Sequence, residues 1–337
     1  MAENPIVIVD PHFRHMSEIF SPDGLARLHD TVQVVWGKDE EMPLDEVIAS
    51  LREAVAIVTA GWRYGDILDH ASELRAIIDV AGGFPRTLNY EQCYEKRIRV
   101  LTAAPGFARG VAEMALGMAL AAGRDIAAGD RAMRDGTEGW QHAGNVGTFS
   151  LYGKQAGFIG YGSLARSLRP LLAPFGCPIS VYDPWLGPGY LCSQGVEPVD
   201  LEQLLERSRV VFVLASPTAE NAALLSRPLL QRIQTGAVLV LISRAHVIDF
   251  DALTELVLAG RFKAAIDVFP QEPLAADHPI RRASNAVLSA HRAGSVQETL
   301  WELGEMVVDD LEAIGRGLPP QRLQAAQPEL IARYTSR

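Results

Sequence analysis

Basic charge is what this sequence is short of: 31 Lys and Arg stand against 41 Asp and Glu, for a net charge of −10. No basic run offsets that balance, which argues against nucleic acid as a partner and leaves small molecules or other proteins. Cysteine is scarce as well. Cys93, Cys177 and Cys192 are an odd number without CxxC spacing and read as thiols of a reducing compartment. No apolar run reaches the ~18 residues of a membrane span. The opening MAENPIVIVDPHF passes from a polar start directly into an apolar segment, so neither a signal peptide nor a membrane association is expected, and the cytoplasm is the default location. The 8 histidines form no HExxH and no His/Cys cluster, which speaks against a metal site. Repeats and low-complexity tracts are missing too, and only Leu318 to Arg337 looks tail-like. With 337 residues the chain is long enough for two domains.

What is present centres on residues 155–183. An apolar run, Ala156 to Ile159, meets Gly160-Tyr161-Gly162-Ser163-Leu164-Ala165, then a Leu/Ala-rich segment of helical period, a second strand from Ile179 to Tyr182, and Asp183. Strand, glycine turn, helix, strand and acid in that order are the parts of a dinucleotide site. Gly160 permits the tight exit from the strand, Gly162 removes the Cβ from the path of a pyrophosphate, and Ala165 lets the helix lie close. The amides of Ser163 and Leu164 then point at the phosphates with the helix dipole behind them. Asp183 can accept both hydroxyls of an adenosine ribose and would repel a 2′-phosphate, which favours NAD over NADP.

The rest of the chain alternates short apolar runs with helical segments. Strands are predicted at Ile6 to Val9, Val32 to Trp36, Val55 to Val58, Ile77 to Val80 and Ile98 to Leu101, with helices at Asp23 to His29, Leu44 to Leu51, Ile67 to Leu74 and Asn89 to Lys96. After Asp183, strands at Val210 to Leu214, Ala237 to Ile242, Ala264 to Val268 and Ala286 to Leu288 alternate with helices at Leu201 to Arg207, Arg227 to Ile233 and Asp251 to Leu258. Such a rhythm implies an α/β chain with parallel, doubly wound sheets. Residues 108–134 form one long helix or two joined ones, apolar on several faces. That stretch reads equally as a subunit interface and as a buried interdomain helix. Thr299 to Ile314 is a helix that crosses back to the first domain. Asp79-Val80-Ala81-Gly82-Gly83 ends a strand in two glycines, either an ordinary turn or bared amides for an anion.

Three polar residues fall just past predicted strand ends, where a doubly wound sheet opens its crevice. His291 can move a hydroxyl proton, Arg244 offers a planar fork for a carboxylate and a carbonyl, and Glu272 can hold and charge an imidazole. Singly, Arg244 reads rather as an exposed loop ion pair, Glu272 as a solvated carboxylate in a turn and His291 as a satisfied histidine at a strand end; their common placement is what points to chemistry on a carbon bearing a hydroxyl. His246 and His278, close by in sequence, read as surface loop residues.

These residues carry a resemblance. Gly157-Phe-Ile-Gly-Tyr-Gly162 with Asp183-Pro184, Ser243-Arg244-Ala-His-Val-Ile-Asp249, Asp267-Val-Phe-Pro-Gln-Glu-Pro273 and Ala290-His291-Arg-Ala-Gly294 resemble the NAD-dependent D-2-hydroxyacid dehydrogenases. That group includes D-3-phosphoglycerate, glyoxylate/hydroxypyruvate and D-lactate dehydrogenases. The resemblance implies a Rossmann NAD-binding domain at 103–294, inserted into a flavodoxin-like substrate domain made of 1–102 and 295–337. It also implies that Arg244, Glu272 and His291 are the catalytic set acting on a 2-hydroxy or 2-keto acid. By the same resemblance Asp267 holds the nicotinamide amide, Pro217, Ser243 and His291 border the cofactor, and Gly82 and Gly83 present amides to the substrate carboxylate. A homodimer through the 106–134 region is implied too.

The chain also departs from that pattern. Leu241 stands where Asn is usual, Ala245 where Gly is usual, Ser289-Ala290 where Thr-Pro is usual, Arg292 follows the histidine, and Asn89 replaces an expected acid. Arg63, after the Val55 to Val58 strand, is a further candidate for an anionic substrate group, and Trp301 for packing. The rival reading is an NAD(H)-sensing binding protein of the same fold, like the family's corepressor relatives, with little turnover. A dehydrogenase of phosphorylated hydroxy acids is a third.

Overall fold

The computed structural model describes residues 4–335. Residues 1–3, 336 and 337 lie outside the described residues, and with them the outermost ends of the stretches 1–102 and 295–337 and of the tail-like segment. The strands are, in order, β1 (Ile6–Asp10), β2 (Gln33–Trp36), β3 (Ala56–Thr59), β4 (Ala76–Asp79), β5 (Arg99–Thr102), β6 (Ala156–Ile159), β7 (Ile179–Tyr182), β8 (Glu197–Pro198), β9 (Val210–Val213), β10 (Val238–Leu241), β11 (Lys263–Ile266), β12 (Ala286–Leu288) and β13 (Gln324–Ala325). The chain divides into two compact units: Met1–Ala108 with Ser295–Arg337, and Arg109–Gly294.

In the first unit the sheet runs β13-β5-β4-β3-β1-β2. Strands β1 to β5 pair in parallel, in the 2-1-3-4-5 order of flavodoxin-like sheets, and β13 adds an antiparallel edge to β5. Ala56 to Thr59 and Ala76 to Asp79 are buried at every position, as expected for strands covered on both faces. The helix Pro22–Thr31 starts where Ser21 Oγ accepts from Gly24 N and Pro22 occupies the first turn. The helix Gln297–Gly315 packs on it through a buried stripe that includes Leu300, Leu303, Val307 and Leu311. At Gly304 that helix lies tight against the short helix Met16–Ile19: a Cβ there would stand 2.1 Å from the Ile19 carbonyl oxygen.

Two predicted elements differ from the structure. Ile67 to Leu74 holds only the 3-10 turn Leu68–His70, because Arg75 N already bonds Val55 O and draws the chain into β4. Leu318 to Thr335 is no tail. It contains β13 and the helix Pro328–Thr335, with Leu323, Ala326 and Ile331 buried. The buried Asp310 anchors it, accepting from the amides of Gln321, Arg322 and Leu323 at 2.7–3.1 Å.

The sheet of the second unit is entirely parallel, β12-β11-β10-β9-β6-β7-β8. Its strands follow the Rossmann order 3-2-1-4-5-6 with one more strand at the end. The 108–134 stretch is two helices, Ala108–Gly123 and Ile126–Asp135, broken at Asp125, which adopts φ 52° and pairs with Lys263 Nζ at 2.7 Å. Ala112, Ala115, Met118, Ala119 and Ala122 of the first helix pack on Phe158, Phe212 and Tyr161 of this same unit. Its apolar character therefore serves, on that face, a core internal to the unit. Exposed apolar side chains begin after the break, at Ile126, Met133, Trp140, Val146 and Tyr152.

Candidate active site

β6 ends at Ile159 and the chain turns at Gly160, whose φ is +93°. A side chain there would be strained, and its Cβ would lie 2.8 Å from the Ala215 backbone. Gly162 follows as the residue before the helix Ser163–Leu172, with φ −83° and nothing within 4 Å of an added Cβ. That helix buries Ala165, Leu168 and Leu172 on one face, which fixes its axis against the sheet. Gly162 and Ser163 are exposed. Ser163 and Leu164 belong to the first turn, whose amides have no acceptor inside the helix. At the end of β7, Asp183 accepts from Tyr161 N at 2.8 Å through one oxygen and from Trp185 N at 2.9 Å through the other. The acid therefore ties the glycine turn to the second strand while each oxygen keeps a further lone pair for a hydroxyl. The open space at Gly162 and the exposed turn fit an extended diphosphate with a ribose at Asp183. Ser243, past β10, adds a buried Oγ with no hydrogen-bond partner among the described residues. Pro217 is half-buried in the segment after β9.

Past β10, β11 and β12 the same sheet carries the three polar residues. His291 Nδ1 lies 2.6 Å from Glu272 Oε2, and since a carboxylate only accepts, Nδ1 carries the proton of that bond. Glu272 Oε1 accepts from Phe269 N at 2.9 Å. Partial burial pushes the Glu272 carboxyl pKa up, but the bonds from His291 and the Phe269 amide, with the charges of His291 and Arg244, outweigh it and hold the pKa below its ordinary value. Arg244 is thus close enough to be felt by Glu272; its Nη1 donates to the Ser243 carbonyl at 2.7 Å. The structure brings the three together, with the histidine and glutamate in direct contact. His246 and His278 stand apart: the first reaches the Thr218 carbonyl at 2.9 Å, and the second accepts from Ile280 N.

The histidine is held in an unusual backbone conformation, φ +52°. Its N–H bonds the Asp267 carbonyl at 2.8 Å, and the Asp267 carboxylate accepts from Arg292 N at 3.0 Å and Ala293 N at 3.2 Å. Asp267, expected at the nicotinamide amide, is fully buried here. What it does in this structure is brace the histidine loop, a role that sequence spacing does not display because it depends on two strands being neighbours.

In the first unit, internal carboxylates lie beside both Arg63 and the glycine pair. Arg63 is paired with Asp10, has Nε 3.0 Å from Glu41, and donates to the His12 carbonyl at 3.0 Å. Two internal carboxylates already take its charge, so the expected contact with an anionic substrate group is not what its geometry displays. Gly82 has φ +107°, and Gly82 and Gly83 end β4 as expected. Asp79, just ahead of them, accepts from Ala81 N at 2.8 Å and Gly61 N at 2.7 Å, and the backbone of both glycines helps to pull its pKa down. Burial raises the Asp79 carboxyl pKa to about 6 against the opposing pull of those amides. An acid just ahead of a glycine pair, at the end of an apolar strand, is the mark this arrangement leaves in the sequence. Trp62 is buried and bonds the Gly65 carbonyl, and Trp301 bonds the Ser17 carbonyl.

Among the described residues no group of three or more His, Cys, Asp or Glu side chains is placed to hold a metal ion, and no helix is long and apolar enough to cross a membrane.

Residues 116–293 match the model of the D-isomer specific 2-hydroxyacid dehydrogenase, NAD binding domain. A phosphoglycerate oxidoreductase from Rhizobium etli is similar in structure, with 36% identity and a TM-score of 0.85, covering 96% of this chain and 99% of that one. D-3-phosphoglycerate dehydrogenase of Mycobacterium bovis is 27% identical over 312 residues, which is 91% of this chain and 56% of that protein. Glyoxylate reductase of Korarchaeum cryptofilum is 29% identical over 304 residues, 88% of this chain and 91% of the relative. The chain spans about half the length of the phosphoglycerate dehydrogenases it matches.

Proposed function

The chain belongs to the D-isomer specific 2-hydroxyacid dehydrogenase family, and on that premise we propose that it is a nicotinamide-dependent oxidoreductase interconverting a D-2-hydroxy acid and its 2-keto acid. The observation that carries this reading is the His291–Glu272 pair at the strand ends of a Rossmann sheet, with Arg244 beside it. The nicotinamide, when bound, supplies or takes up the hydride. His291 handles the proton. Because Nδ1 is committed to Glu272, Nε2 is the atom that gives a proton to the forming hydroxyl or receives it in the reverse direction. Glu272 fixes the ring and compensates the charge of the protonated imidazole. The guanidinium of Arg244 grips the carboxylate and polarises the carbonyl oxygen.

Gly160, Gly162, Ser163, Leu164 and Asp183 would hold the cofactor, with Pro217 and Ser243 along its path. Asp183 supports NAD over NADP, since its two oxygens suit ribose hydroxyls and repel a phosphate. The exposed apolar side chains from Ile126 to Tyr152 support a homodimer built on the 106–134 region and the loop after it. Cys93, Cys177 and Cys192 are free thiols, which supports a reducing compartment such as the cytoplasm.

The test is loss of NADH absorbance with glyoxylate, hydroxypyruvate, pyruvate, phosphohydroxypyruvate and bulkier 2-keto acids, with NADPH in parallel. Turnover on one class establishes the oxidoreductase and its preference. Tight NADH binding without turnover on any of them would overturn it in favour of an NAD(H)-sensing protein.

A further inference from the structure

We propose that His246 is a positioning residue for the cofactor: through the Thr218 carbonyl it holds in place the loop after β9, on which Pro217 borders the proposed dinucleotide path. This role rests on the nicotinamide-dependent reading above and adds the residue that sets one wall of that path.

β9 lies beside β6, and the crevice of a doubly wound sheet opens where the strand order reverses, between these two. The loop after β9 therefore faces the glycine turn across that crevice. On this side packing sets its distance, since a Cβ at Gly160 would stand 2.8 Å from the Ala215 backbone. Its shape is closed from within by Asn221, whose Oδ1 accepts from Thr218 N at 2.8 Å and whose Nδ2 donates to the Ser216 carbonyl at 2.8 Å. Both ends of those bonds belong to the loop, so they fix its form and not its place. A tie from another segment comes from His246, whose Nε2 lies 2.9 Å from the Thr218 carbonyl oxygen. A carbonyl only accepts, so Nε2 carries the proton of this bond.

His246 stands on a firm base. It is the middle residue of the 3-10 turn Ala245–Val247 past β10, with Ala245 and Val247 buried on either side of it. Its own carbonyl accepts from Ala223 N at 2.9 Å, Leu225 N bonds the Val247 carbonyl at 3.0 Å, and Leu225 and Ile248 form a parallel bridge. The far end of the loop is thus zipped to this turn by main chain, which any residue supplies. The near end, at Thr218, is reached by the imidazole, a bond that depends on the side chain. The histidine thereby joins two strand-end loops of one sheet, the first bearing Pro217 and the second Ser243 and Arg244. Without the bond, the wall at Pro217 would have to be ordered by the cofactor itself, and that ordering is drawn from binding free energy.

The test compares wild type with His246→Leu, which removes the donor at similar size, and His246→Gln, whose side-chain amide can reach the same carbonyl. NADH and NADPH affinities are measured by fluorescence titration, and urea unfolding is followed without cofactor. His246→Leu should bind NADH roughly 3- to 10-fold more weakly than wild type, the worth of about one hydrogen bond, and His246→Gln should stay within about twofold. His246→Ala, which also lacks the donor, carries the same expectation and guards against a His246→Leu that does not fold. A residue that served the fold alone would lower the urea midpoint and leave the NADH affinity of the folded protein unchanged, and that result overturns the proposal. So does a folded His246→Gln that binds as weakly as His246→Leu. Wild type that binds neither NADH nor NADPH removes the nicotinamide reading and the positioning role with it. Wild type and His246→Leu that bind NADH equally tightly remove the positioning role alone.

Discussion

Gly160 and Gly162 sit two residues apart in the same turn, yet packing requires the first while the proposed cofactor site requires the second, and alanine at each should separate those reasons. At Gly160 the backbone is at φ +93° and the Cβ would press on the Ala215 backbone at 2.8 Å. The left-handed region costs a residue with a Cβ about 1–2 kcal/mol, and overpacking against backbone adds roughly 1–3 kcal/mol. Gly160→Ala should therefore lose about 2–5 kcal/mol of stability. At Gly162, φ is −83° and the Cβ meets nothing within 4 Å. Alanine is a slightly poorer helix cap than glycine, but it also restricts the unfolded chain, and these changes of about 0.5–1 kcal/mol nearly cancel. Gly162→Ala should thus fold like wild type. Its methyl group would occupy the diphosphate's approach and weaken charge-assisted bonds of about 1.5–3 kcal/mol, a loss of roughly 10- to 150-fold in NADH affinity. Urea unfolding measures the first quantity and NADH fluorescence titration the second. A folded Gly162→Ala with wild-type NADH affinity would show that the diphosphate does not pass this residue, and a fully stable Gly160→Ala would refute the packing argument.

Three further outcomes are expected. His291→Ala should lose about 10²- to 10⁴-fold in turnover with NADH affinity kept, and retained turnover in steady-state assays would remove His291 from the proton path. Glu272→Gln keeps a hydrogen-bond acceptor for the imidazole but not the charge, so turnover should drop about tenfold with NADH binding unchanged; equal rates for the two proteins would count against the pairing. Asp79 has its folded pKa raised from 3.8 to about 6. Between those values the folded protein binds more protons than the unfolded chain, so this group's contribution to stability falls as pH rises through the window and is most favourable below it. Relative to Asp79→Asn, wild type should therefore lose up to about 3 kcal/mol between roughly pH 4 and pH 7. Urea midpoints of the two proteins that move in parallel across that range would contradict the buried carboxylate.

Much of the architecture is written in local pattern. Short runs of Val, Ile, Leu and Ala mark the parallel strands because both faces of each sheet are covered, and Gly160, Gly162 and Asp183 mark the proposed nucleotide turn because that pattern lies within one strand, turn, helix and strand. The candidate site was legible to the same extent, since His291, Glu272 and Arg244 each follow a strand of the same sheet and the strand ends gather them.

What the tertiary structure decided was the partner of each polar group. A two-residue strand such as β13 carries no periodicity, and it is Asp310, reaching from a helix to three amides, together with the burial of Leu323, Ala326 and Ile331, that ties the C-terminal stretch into the fold. Asp267 and Asp79 look alike in sequence, each an acid at the end of an apolar strand. One is buried under the histidine loop and the other under the glycine turn, and each accepts main-chain amides. Arg63 and Arg14 look alike as well, yet Asp10 and Glu41 pair with the first while the second rests against the rings of Phe13 and Phe107. Residue type and spacing determined which chemistry this chain could carry. Which charges are neutralised within the protein, and which are left to meet a ligand, depends on contacts between segments distant in sequence, because an ionic or hydrogen-bonding partner is set by distances of a few ångströms that only the folded chain defines.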